Sequence, residues 1–155
     1  MEFGARAVTA AEAVQDVDVV ILSINSTSYS KVASLFAGVL EDTIAIDTSN
    51  YHPVRDNRIE AIDAGQVESL WVVEQLGRPI VKAWNTVVSG SFSNKGKPAG
   101  SLGRIALPVA ADRDRDREVG WRWWQIQVLM PSMLAHSKTS GGCNRERLST
   151  ALTLP

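Results

Sequence analysis

The stretch Val17-Asp18-Val19-Val20-Ile21-Leu22-Ser23-Ile24 decides the fold. It is a nearly unbroken β-branched run, which reads as a strand buried on both faces, the kind found in parallel sheets. Asn25-Ser26-Thr27-Ser28 ends it as a loop. Upstream, Ala5 to Thr9 predicts a small strand. Thr9, with Glu12 three residues later, predicts a capping box that opens a helix through Gln15. Downstream, Val32, Leu35, Phe36 and Val39 share one face of a helix over Tyr29 to Leu40. Thr43 to Thr48 is the next strand, and Ser49 to Pro53 a loop. Helices are expected over Arg58 to Ala64 and Glu68 to Leu76, stopped by Gly65 and Gly77. Ile80 to Trp84 is a further strand.

Strand and helix therefore alternate, which implies βαβ crossovers and a parallel sheet flanked by helices, the α/β class. Ser89 to Gly103, rich in Gly, Ser, Lys and Pro, reads as a loop. Arg104 to Ala110 reads as a late strand, with Pro108 marking it as an edge. Asp112 to Glu118 alternates acid and base like a solvated helix start.

Composition narrows the function classes. The 155 residues suit one domain, with 45% hydrophobic and 21% charged residues. A net charge of −1 argues against a nucleic-acid footprint. One cysteine, Cys143, allows no internal disulfide and no cysteine-based zinc site. With no signal peptide and no apolar run of membrane length, the expected setting is cytoplasmic.

Ligands of an open parallel sheet bind beyond the carboxyl ends of its strands. Three such ends are polar: Ser23-Ile24-Asn25-Ser26, Asp47-Thr48-Ser49-Asn50 and Lys82-Ala83-Trp84-Asn85-Thr86. The expectation is that all three lie on one edge of the sheet. Their hydroxyls and amides suit ribose and phosphate oxygens, and they also suit plain loop-starting caps. His52 reads either as a general acid or as a solvated loop histidine. Lys95-Gly96-Lys97 reads either as a phosphate contact or as a solvated loop. His136 is isolated. No metal, Ser-His-Asp or Walker spacing is present.

These residues resemble a known family. Gly4 to Val8, Asp18 to Ile24, Ile46 to Tyr51 and above all Gly77-Arg78-Pro79-Ile80-Val81-Lys82-Ala83-Trp84-Asn85-Thr86 are similar to the bacterial NADP oxidoreductases related to the coenzyme F420-dependent NADP reductase. The STEAP reductase domains are similar too. The resemblance covers residues 4–120. It implies a Rossmann-type fold, NADP as cofactor, and hydride transfer to a flavin-like or small acceptor. By position it implies cofactor contacts at Ser23, Ile24, Asn50 and Asn85, with no catalytic residue or metal assigned. Trp84 stands where the family usually has Phe. At Asn25 to Ser28 the family commonly carries a proline and a bulky residue, and this chain does not. The partners expected are a small-molecule acceptor and neither nucleic acid nor membrane, with self-association left open. The alternatives are a non-catalytic remnant or interaction module, and an imine or pyrroline-carboxylate-type reductase.

Two features depart from the family. Its first βαβ unit, with the G-x-G-x-x-G turn that holds pyrophosphate on a helix N-terminus, has no counterpart before Gly4, so the chain is expected to be N-terminally truncated. Residues 121–155 form an atypical tail without sustained helical or strand period. Read one base earlier, with degenerate third bases free, its codons can give a tryptophan-arginine pair and a glutamine-proline-glycine-threonine-proline run like the family's C-terminal end. The Trp123-Trp124 overlap would be forced to Val. The expectation is a frameshift near Gly120 or Trp121, so that Cys143, His136 and the tail tryptophans carry no selected role. The codons of the gene decide it.

Overall fold

The computed structural model describes residues 6–98, 100–126 and 130–133, the last four as backbone. A five-stranded sheet runs β1 (Val19–Leu22), β2 (Ile44–Asp47), β3 (Ile80–Ala83), β4 (Ala106–Ala111), β5 (Met130–Met133) in that order. β1, β2 and β3 are parallel, β4 is antiparallel to β3, and β5 is parallel to β4. The sheet is thus mixed rather than wholly parallel. Helices occur at α1 (Ala10–Ala13), α2 (Tyr29–Val32), α3 (Pro53–Asp56), α4 (Glu60–Asp63), α5 (Glu68–Leu76), α6 (Ser89–Asn94) and α7 (Asp114–Ile126).

The two-residue period of the strands divides the core. Ile44, Ile46, Val81, Ala83, Leu107, Val109 and Ala111 point to one face, where Val119 of α7 packs against them. Val20, Leu22, Ala45 and Ile80 point to the other, under Val14, Tyr29, Phe36, Val72 and Leu76. Gly120 lets α7 approach closely. A Cβ at that position would lie 2.7 Å from Val81 Cγ1 and 3.2 Å from Val109 Cγ1.

Local signals held where the chain's own atoms satisfy them. The Thr9 side chain accepts from the Glu12 N–H and the Glu12 carboxylate accepts from Thr9, so the capping box is formed. Gly77 ends α5 in the left-handed region at φ 66°, which costs glycine little. Several expectations need correction. Residues 6–9 form no strand. β1 is buried on one face only, because α7 covers β3 and β4 and leaves Ile21 at the sheet edge 44% exposed. The segment after β1 is one 3-10 turn, one α turn at α2 and another 3-10 turn ending at Phe36, not a continuous helix to Leu40. The loops around Pro53 and Ser89 each contain a short helix. β4 is paired on both sides, so Pro108 does not mark an edge. α7 runs through residue 121 to Ile126, where the sequence period had faded. Cys143, His136 and the tail from residue 134 lie outside the described residues.

Candidate functional site

β1, β2 and β3 are parallel, so their carboxyl ends share one edge of the sheet. A cavity of about 240 Å³ opens there. It is lined by Ser23, Ile24 and Asn25 after β1, by Thr48, Ser49, Asn50, His52 and Arg55 after β2, and by Trp84, Asn85 and Val87 after β3. All four expected contact residues, Ser23, Ile24, Asn50 and Asn85, are brought to this one place. His52 joins them, half-buried at the N-cap of α3. Lys97 does not: its ammonium donates to the Leu102 carbonyl at 3.0 Å, and it is not a lining residue.

The two asparagines are tied together. The Asn50 amide Nδ2 donates to the Asn85 backbone carbonyl, and Asn85 Nδ2 donates to Asn50 Oδ1 at 3.0 Å. A carbonyl accepts only, so the first bond fixes the Asn50 amide and the second then fixes that of Asn85. Asn85 Oδ1 is left buried without a donor among the described residues. Just before it, Trp84 adopts φ 62° although it is not glycine. Such backbone costs about 1–3 kcal/mol and recurs at functional sites.

Beneath the cavity sits a buried charge network that the sequence reading did not find. Asp47 and Lys82 are direct register partners on β2 and β3, and both point to the α5 face. Lys82 Nζ donates to Asp47 Oδ2 at 2.7 Å, to Glu68 Oε1 at 2.7 Å and to the Ser49 carbonyl. Burial works against the charged ammonium. Asp47 first, then Glu68, outweigh it and hold the Lys82 pKa above the usual lysine value. The Tyr29 hydroxyl donates to Asp47 Oδ1 and lies 3.0 Å from Ser49 Oγ, which itself donates to the Ile24 carbonyl at 2.6 Å. Burial and then the Asp47 charge push the Tyr29 phenol well up. The network therefore fixes the loops after β1 and β2, which carry most of the cavity wall. Its signal in the sequence is one charged residue in each of two otherwise apolar strands.

A second cluster holds the mouth. Asp56 is fully buried and accepts from Arg55 Nε and Nη2, both at 2.7 Å, from the His52 N–H at 2.9 Å and from Ser26 Oγ at 3.2 Å. The Arg55 guanidinium, followed by these N–H and hydroxyl donors, holds the Asp56 carboxyl at a pKa of about 2. Arg55 Nη2 also donates to the Asn50 carbonyl at 2.7 Å. Among the described residues no group of three or more His, Cys, Asp or Glu side chains could hold a metal ion. No described helix is long and apolar enough to cross a membrane.

Residues 1–51 match the family described as NADP oxidoreductase, coenzyme F420-dependent. The chain is similar to this family. No curated protein matches the sequence. Among solved structures, a hypothetical protein of Sinorhizobium meliloti is 23% identical, with a TM-score of 0.64 over 85% of this chain and 62% of its own. A proposed F420-dependent NADP-reductase of an Arthrobacter species is 15% identical, with a TM-score of 0.64 over 92% of this chain and 65% of its own. A UDP-D-ManNAc dehydrogenase of Pyrococcus horikoshii is 11% identical, with a TM-score of 0.55 over 91% of this chain and 34% of its own. At such identities the likeness establishes the Rossmann-like α/β fold. The chain spans less than two thirds of the length of each of these structures.

Proposed function

We propose that this chain contributes the nicotinamide side of an NADP(H)-dependent oxidoreductase that passes hydride between the cofactor and a flavin-like or small acceptor. One observation carries the reading. Ser23, Ile24, Asn50 and Asn85, drawn from three separate strand ends, line a single cavity on the edge where ligands of such sheets bind. The residues present fit half of the cofactor. About 240 Å³ matches a nucleoside-sized group better than a whole dinucleotide. Among the described residues the lining supplies hydroxyls, amides and one Arg, and no carboxylate that would repel phosphate. Asn85 Oδ1 is an acceptor without a donor among the described residues.

Bound nicotinamide would supply the hydride chemistry. The chain's own part is placement. Asn50 and Asn85 lock each other and the strand ends. The Lys82–Asp47–Glu68 network holds Ser49 and, through it, the loop after β1. Trp84 and Val87 give the cavity apolar wall. No side chain here is required to move a proton in a direct hydride transfer.

The experiment is a titration of the purified chain with NADPH, followed by nicotinamide fluorescence and by quenching of tryptophan. Saturable binding in the micromolar range, weakened at least tenfold by Asn50→Leu with the melting temperature kept, is expected. An NADPH signal that stays linear to millimolar concentration contradicts the proposal.

A further inference from the structure

Arg55 has a geometry that nicotinamide binding does not use. Its guanidinium is fixed by a fork onto the buried carboxylate of Asp56 and by a third bond to the Asn50 carbonyl. Asp56 is in turn anchored by the His52 N–H and Ser26. The guanidinium is therefore pre-set rather than free to swing. It is nonetheless 46% exposed, it lines the cavity, and its Nη1 amino group makes no hydrogen bond with the described residues. Among the described residues it is the only Lys or Arg lining the cavity, no Asp or Glu lines it, and His52 lines it too. A planar, pre-organised cation with two N–H groups left over suits an oxyanion.

We propose that Arg55 makes this cavity select an acceptor bearing an oxyanion, a phosphate or carboxylate group, over its neutral counterpart. The inference rests on the reading above. Hydride transfer needs the acceptor stacked within about 3–3.5 Å of the nicotinamide, so both must share this cavity and its mouth. An acceptor entering there meets Arg55 and, among the described residues, no opposing acid.

The test uses three flavins that differ in one substituent: riboflavin, its phosphate ester FMN, and carboxymethylflavin. Each is titrated against the full chain, with and without NADPH, by flavin fluorescence. FMN, carboxymethylflavin or both are expected to bind roughly five- to tenfold more tightly than riboflavin at low salt, with the preference shrinking as salt is raised. Which of the two anions gains shows whether phosphate or carboxylate is read. Arg55→Gln is expected to bring the ratio to about one. Arg55→Lys, which keeps the charge but loses the fork onto Asp56, is expected to keep part of it. Equal binding of all three flavins overturns the proposal. So does a preference that survives in Arg55→Gln. An Arg55→Gln variant that loses NADPH affinity but keeps the flavin ratio also overturns it, by assigning the cation to the cofactor's own phosphates. NADPH binding is read separately. A chain that binds NADPH but ignores the flavin's charge sinks this inference alone. A chain that prefers anionic flavins through Arg55 but does not bind NADPH sinks the cofactor reading instead.

Discussion

Replacing Lys82 by Met tests whether the buried network holds the site. Lys82 is 2% exposed and Asp47 not at all. With an effective dielectric of about 20, each 2.7 Å contact to Asp47 and Glu68 is worth about 6 kcal/mol of gross attraction. Desolvation of the ammonium takes back several kcal/mol, so the net contribution is far smaller than the sum. The larger effect is what the substitution leaves behind. Asp47 would remain buried with only the Tyr29 hydroxyl and the Ser49 N–H to meet its charge. Stranding a buried carboxylate this way costs about 3–5 kcal/mol, a large part of the ~5–15 kcal/mol that holds a domain together. Urea unfolding followed by tryptophan fluorescence reads this directly. The midpoint should fall with the slope unchanged. The control is Arg58→Met, whose ion pair with Asp63 is on the surface and should cost no more than about 0.5 kcal/mol. Adding Asp47→Asn to Lys82→Met should recover part of the loss, because the stranded charge is gone. A Lys82→Met chain within about 1 kcal/mol of the parent, or a double variant less stable than the single, would show that the stranded carboxylate does not set the cost.

Other substitutions separate competing effects. Gly120→Ala improves helix propensity by about 1 kcal/mol, yet its methyl would sit 2.7 Å from Val81 Cγ1. Overpacking of about 1–3 kcal/mol should win, lowering the thermal midpoint, and Val81→Ala in the same chain should restore it. Gly77→Ala has open space around its Cβ and tests φ alone, with a loss of about 1 kcal/mol in denaturant titration. Asp56 supplies a pH signature. Its folded pKa of about 2 lies below the ordinary value of 3.8, so its contribution is complete above about pH 4 and disappears as the pH falls toward 2. Stability measured between pH 5 and 2 should therefore drop more steeply in the parent than in Asp56→Asn.

The fold was legible where single residues carry their own conformational rule. Thr9 with Glu12 announces a cap, Gly77 a left-handed stop, and the β-branched runs at residues 19–22 and 44–46 the parallel strands. The four strand-end residues were legible together because parallel topology places every carboxyl end on one edge. What stayed hidden depends on register or on distant packing. Asp47 and Lys82 are 35 positions apart, and only the β2–β3 register makes them partners. Arg55 and Asp56 form no motif in the sequence, and only the folded loop, with Ser26 and the His52 N–H donating to the carboxylate, makes the aspartate a buried anchor. Trp84 gives no sign of its positive φ, since nothing about tryptophan favours it. α7 was obscured because its charged first turns and clustered tryptophans mask the short inward stripe of buried Asp116 and Gly120 with partly buried Val119.

Where NADP(H) sits is read by amide hydrogen exchange of the chain with and without saturating NADPH, since its nicotinamide half is proposed to lie on the edge formed by β1, β2 and β3. Slower exchange is expected in residues 23–25, 48–50 and 84–87, with no change around Gly77 and Arg78, where a second cavity opens beside Phe36. Unchanged exchange at all three strand ends, or protection confined to the Arg78 cavity, would place the cofactor elsewhere or nowhere on this chain.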